Sequence, residues 1–198
     1  MANGIEEQVE SLFSDREQWE SFLELREQKD ALRNAWWQGF RAKMNRHFIV
    51  DNKADGWGYI SWGVWDYKWY LAESGADSLC VWCREWYGGY IFHLWVNQTL
   101  FDGVKITNLL QGTKYTPILS AFERIDSIGS NNEKLIENGN FSFGAPDDGN
   151  LNLDKLAWYA HYQPEAFLSQ ISRKIDRFRK DPEVSALLAE INRETKKQ

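Results

Sequence analysis

The chain has 198 residues, 43% hydrophobic and 26% charged, with 15% aromatic residues and a net charge of −6. That length is enough for one folded domain over 1–198 with a sizeable core. The composition excludes a low-complexity class, the acidic balance excludes a general nucleic-acid coat, and no apolar run approaches the ~20 residues of a membrane helix.

The opening MANGIEEQVESLF is acidic and lacks the basic flank and apolar centre of a signal peptide. A cytoplasmic protein with reduced Cys80 and Cys83 is the expectation. Residues 1–30 hold nine acids against three bases, which accounts for the whole net charge. A short helix is expected over residues 5–13. Ser14 and Glu17 then form a capping box that opens a long amphipathic helix from Asp15 to His47. Its stripe is Trp19, Phe22, Leu23, Leu32, Trp36, Phe40, Met44 and Phe48, mostly at spacings of three and four.

Most of the eleven tryptophans fall between Gly56 and Asn97. Trp57 to Leu71 reads as one long strand, bent near Gly63. Leu79 to Tyr87 and Tyr90 to Asn97 read as two more strands, joined by a Gly88-Gly89 turn that sets Trp82 opposite Trp95. Alternation along these strands puts Val81, Cys83, Tyr90, Phe92, Leu94 and Val96 on a core face. Trp82, Arg84, Trp86, Ile91, His93 and Trp95 share the other.

Val104 to Leu110 reads as an edge strand, Pro117–Ile128 as a helix, and Asn138-Gly139 as a hairpin turn between Leu135-Ile136 and Phe141-Phe143. Three helices follow. The first starts near Asp154 and runs through Tyr162. The second starts at Pro164 with the stripe Phe167, Leu168, Ile171, Ile175 and Phe178, and the third follows Asp181-Pro182. The fold expected is α+β: an antiparallel Trp-rich β-meander packed against a long N-terminal helix and a C-terminal helical group.

Four constellations carry candidate chemistry. Cys80 and Cys83 have C-x-x-C spacing, but on a strand positions three apart point to opposite faces, so two buried thiols are expected and no metal or redox site. Asp66-Tyr67-Lys68, with Asp55 upstream, resembles the PD-(D/E)xK nuclease pattern. That resemblance implies Asp55 and Asp66 holding Mg²⁺ and Lys68 orienting the attacking water. The acid-x-Lys triplet also occurs at Glu27–Lys29, Asp51–Lys53 and Glu194–Lys196. Arg173, Arg177 and Lys180 lie on one helix face and form a basic patch suited to phosphates, or to a solvated or acid-paired surface. The Trp82, Arg84, Trp86, His93 and Trp95 face is core if a helix covers it, and a binding platform for rings, bases or a partner's side chains if it is open.

No phosphate loop, nucleophile elbow or zinc-protease spacing occurs. The reading favoured is therefore a non-catalytic cytoplasmic interaction protein that binds a macromolecule, most readily a protein, with no cofactor. By analogy alone it suits a host- or phage-encoded regulator or inhibitor. The alternatives are a divergent metal-dependent nuclease and a single-stranded nucleic-acid binder that stacks bases on tryptophan. Partner identity and oligomeric state stay open at this level.

Overall fold

The computed structural model describes residues 15–86, 89–122, 127–128, 133–137, 141–145, 149 and 151–198. The helix expected over 5–13, Ser14, Gly88 and Asn138-Gly139 lie outside the described residues, as does the side chain of Trp86.

Helix α1 spans Arg16–Arg46, and Asp15 caps it by accepting from the Gln18 N–H at 2.8 Å. Glu17 near its start and Lys43 and Arg46 near its end complement the helix dipole. Trp37, Phe40, Met44 and Phe48 recur at three and four residues and are buried. The N-terminal half is different: Trp19, Phe22, Leu25 and Leu32 are exposed. At ~1.5 Å per residue α1 is ~46 Å long, and only its second half reaches the core. A single π-helical turn, His47–Asp51, ends it. There the Ser172 hydroxyl meets His47 Nε2 at 2.9 Å.

The sheet has the order β1-β2-β3-β4-β6-β5, with every neighbouring pair antiparallel. β1 is Trp57–Trp62, β2 Asp66–Leu71, β3 Cys80–Trp86 and β4 Gly89–Trp95. β5 is Ser127–Ile128 and β6 Glu133–Glu137. The single strand expected over Trp57–Leu71 is in fact a hairpin. Gly63 has φ +72°, a left-handed conformation that turns the chain and pairs Trp62 with Asp66. The expected pairing of Trp82 with Trp95 is also corrected. Trp82 opposes His93, Cys80 opposes Trp95, and Trp86 opposes Gly89. The pairing moves by an even number of positions, so every side chain keeps its expected face.

The edge strand expected at Val104–Leu110 is helix α2, Gly103–Leu110, capped by Asp102 accepting from the Lys105 N–H. Its buried positions Gly103, Ile106 and Leu110 recur at three and four residues, a helical spacing that a strand burying every second residue does not give. The helix expected over Pro117–Ile128 is shorter, α3 at Thr116–Ser120, and Ser127–Ile128 is strand. Leu135 and Ile136 pair with β4 and β5, while Phe141 to Phe143 are not strand. Helices α4 Leu153–Tyr162, α5 Pro164–Arg179 and α6 Pro182–Thr195 complete the chain, with Asn152 capping α4 and Asp181 capping α6.

One hydrophobic cluster runs from Trp37 to Ile191 on the α-helical side of the sheet. Phe167 of α5 is a hub, with its ring centroid 4.8 Å from those of Phe40 and Phe141 and 6.0 Å from Trp37. Asn192 of α6 is 3% exposed and ties that helix to the start of β3. It accepts from the Leu79 N–H at 2.8 Å and donates to the Leu79 carbonyl at 3.4 Å.

Candidate interaction surface

The strand registers place the other sheet face in rows. Ile60, Lys68, Trp82 and His93 form one row, Trp62, Asp66, Arg84 and Ile91 a second, and Tyr70, Cys80 and Trp95 a third. Lys68 is therefore flanked diagonally by Trp62 and Trp95 and directly by Trp82. Its ammonium lies 3.6 Å from the Trp95 ring centroid, 4.5 Å from Trp82 and 5.3 Å from Trp62. It donates to the Ala76 carbonyl at 3.3 Å. Lys68 is 1% exposed, and burial lowers its pKa despite the nearby Cys80 and Asp77. Desolvated cation–π contacts of this kind contribute ~2 kcal/mol and offset part of the cost of burying the charge.

The rings also cover each other. Trp82 and Trp95 meet edge to face at 5.2 Å, and the Arg84 guanidinium lies 4.5 Å from the Trp82 ring. His93 sits beneath, tilted against Trp82 at 5.8 Å. Burial, then Arg84 and Lys68, push its pKa down to about 3, so the imidazole is neutral at ordinary pH. Burial, with help from Glu85, pushes Asp66 up to about 6 against the pull of Arg84. Trp62 is 59% exposed, and Trp82, Arg84 and Trp95 are half-buried. The face is thus aromatic, with its lysine charge held inside and the Arg84 guanidinium set beside the Asp66 carboxyl.

Of the residues the sequence singled out, Trp82, Arg84, His93 and Trp95 are brought together here. His93 belongs to the floor and not to the surface. Trp86 continues β3 beside Arg84, its backbone paired with Gly89. Trp62 completes the group and was hidden by the reading of Trp57–Leu71 as a single strand. Gly63 is the signal that could have placed it.

The nuclease triplet is not assembled. Gly56 accepts from the Ala72 N–H at the far end of the hairpin from Asp66, so Asp55 and Asp66 are ~20 Å apart along the strands. Lys68 is enclosed by indoles. Among the described residues no three His, Cys, Asp or Glu side chains group as metal ligands would. Cys80 and Cys83 are both buried free thiols on opposite faces, and burial pushes Cys80 up to about 12.

Arg173, Arg177 and Lys180 are exposed along α5, while Lys174 and Arg179 of the same run are buried. Asp176 binds Arg179 at 2.8 Å and Lys180 at 2.6 Å, which neutralises part of that patch. A second aromatic cluster escaped the sequence. Trp36 stacks on His161 at 5.3 Å, and Tyr162 lies 4.9 Å from Trp158, with Trp158 and Tyr162 exposed. Its residues come from two helices, and periodicity in either one does not reveal it.

No described helix is long and apolar enough to cross a membrane. Compared with protein families, with curated proteins and with solved structures, the chain matches none.

Proposed function

We propose that the protein is a non-catalytic binding module that docks a partner protein on the Trp62, Trp82, Arg84 and Trp95 face. The observation that carries this reading is the placement of Lys68 beneath the three indoles. It leaves an accessible aromatic surface on which, among the described residues, the Arg84 guanidinium stands beside the Asp66 carboxyl. Tryptophan and arginine are the side chains that dominate protein–protein hot spots. A phosphate-bearing ligand would instead need a surplus of outward cations, and here the lysine is withdrawn and Asp176 offsets part of the α5 patch. A host- or phage-encoded regulator or inhibitor would fit such a module by analogy.

The test is capture of partners from lysate by wild type and by Trp62→Ser, at about physiological and threefold higher salt. Trp62 is the most solvent-facing ring of the group, so this variant should keep the fold and lose no more than its contact with Lys68 at 5.3 Å. A partner retained at both salt concentrations and lost in Trp62→Ser supports the reading. Submicromolar binding of single-stranded oligonucleotides that weakens steeply with salt would overturn it.

A further inference from the structure

β1 is the terminal strand of the sheet, and its outer edge has the features of a strand-accepting site. The Ala72 N–H donates to the Gly56 carbonyl at 2.9 Å, which fixes the phase of the β1–β2 ladder. Gly58, Ile60 and Trp62 therefore exchange hydrogen bonds with β2. Trp57, Tyr59 and Ser61 turn their backbone groups outward. The Trp57 N–H is used by the Ala54 carbonyl at 3.2 Å. The outward groups of Tyr59 and Ser61 have no backbone partner among the described residues. The strand reads WGYISW, with no charge, no proline and no bulge, the devices that usually protect an edge.

The two sides of that edge differ in chemistry. On the open side stand Ile60 and Trp62, both exposed, with the Asp66 carboxyl behind them. On the helix side α1 runs antiparallel to β1. Arg33 lies over the Trp65 ring, Arg41 donates to the Ser61 hydroxyl at 2.9 Å, and Tyr59 donates to Asn45 at 3.2 Å. A strand laid beside β1 would send alternate side chains to these two sides. Apolar residues match Ile60 and Trp62, where a carboxylate would meet Asp66, and acidic residues match Arg41. A second copy of this chain is disfavoured as the occupant. Antiparallel pairing of β1 with itself brings Arg41 toward its own counterpart across the two-fold axis.

We infer that β1 accepts an extended segment of a partner protein with alternating apolar and acidic residues, added as a seventh, antiparallel or parallel strand. This rests on the protein-binding reading above and specifies how the partner is held: backbone hydrogen bonds supply affinity and the alternation supplies specificity.

The test is fluorescence anisotropy with a labelled, blocked heptapeptide Ser-Val-Glu-Val-Glu-Val-Ser. Its counterpart carries lysine in place of both glutamates. The glutamate peptide should bind saturably and at least ~10-fold tighter than the lysine peptide, a factor worth ~1.4 kcal/mol. Ser61→Pro removes an outward N–H without removing a β1–β2 bond, so it should keep the fold and lose the binding. Arg41→Glu should invert the preference between the two peptides. Equal binding of both peptides, binding unchanged in Ser61→Pro, or a dimer of wild type that Ser61→Pro abolishes would each overturn the inference. Partner capture that depends on Trp62 but persists in Ser61→Pro would remove this inference and leave the surface reading standing.

Discussion

The Lys68 ammonium sits 3.6 Å from the centroid of the Trp95 ring, in a space walled by three indoles and closed by the Ala76 carbonyl. A buried cation held mainly by ring faces can be exchanged for an apolar side chain of similar length at little cost. Lys68→Met should melt within the equivalent of ~1 kcal/mol of wild type at neutral pH, whereas Lys68→Ala leaves a void and should lose about 2–3 kcal/mol.

The same residue has a signature in alkali. Burial holds its pKa below the ordinary 10.5 in the folded state, so the unfolded chain binds more protons as pH approaches that value. Wild type should therefore gain stability relative to Lys68→Met as the pH is raised from about 7 to 10. Chemical denaturation of both proteins across that range measures the difference directly. A constant gap would show that Lys68 titrates normally.

Acid sensitivity divides between two neighbours of opposite sign. His93 is held down to about 3, so the unfolded chain takes up a proton below 6.5 that the folded one refuses. That contribution to stability is lost as pH falls from 6.5 toward 3. Asp66, held up to about 6, works the other way: the folded state keeps its proton between 3.8 and 6, and stability is lost as pH rises through that window. Asp66→Asn should accordingly raise the melting temperature at about pH 7.5 and leave it nearly unchanged at about pH 4. Raising it equally at both would contradict the assignment.

Asn192 satisfies both backbone groups of Leu79 from within the core. Asn192→Leu strands a buried N–H and carbonyl, at a cost of ~1–3 kcal/mol for each group left unpaired. Urea unfolding should show the loss in the midpoint with little change in slope.

Asp55 and Asp66 stand at opposite ends of the β1–β2 hairpin. Millimolar Mg²⁺ or Mn²⁺ should leave the melt of wild type unchanged against an ionic-strength control, and no DNA or RNA should be cut. A metal-dependent rise abolished by Asp66→Ala would mean that the two acids share an ion in solution.

The helices and the faces of the sheet were legible because both depend on local periodicity. Phe40, Met44 and Phe48 repeat at helical spacing, although the buried ring before them is Trp37 and not Trp36, and Phe167 to Phe178 do the same. The β3–β4 faces are those expected although the pairing differs, because an even shift in pairing preserves the alternation. Val104 to Leu110 reads as a strand because a short run with valine and isoleucine suits either state, whereas the structure starts a helix there under the Asp102 cap. The site was less legible. Whether Trp82 and Trp95 are covered depends on Lys68, which the β2–β3 pairing sets opposite Trp82, and on Trp62, which joins them only after Gly63 has turned the chain. That turn rests on one positive φ at a glycine, which Gly63→Val would strain by about 1–2 kcal/mol.

Asp154 marks a border on α1. It binds Lys29 at 2.5 Å and Arg33 at 2.8 Å, at the point where the helix passes from solvent to core. Residues before that border stand outside the core and carry surface ion pairs such as Arg16 with Glu20. None of their described side chains belongs to the buried core, so unfolding them leaves that core intact. The first four turns of α1 should thus open and close independently of global unfolding, exchanging amide protons quickly while Trp37 and Phe40 stay protected. One continuous helix then behaves as two thermodynamic units, and a mutation such as Leu25→Gly would change the first while leaving the melting temperature of the second where it was.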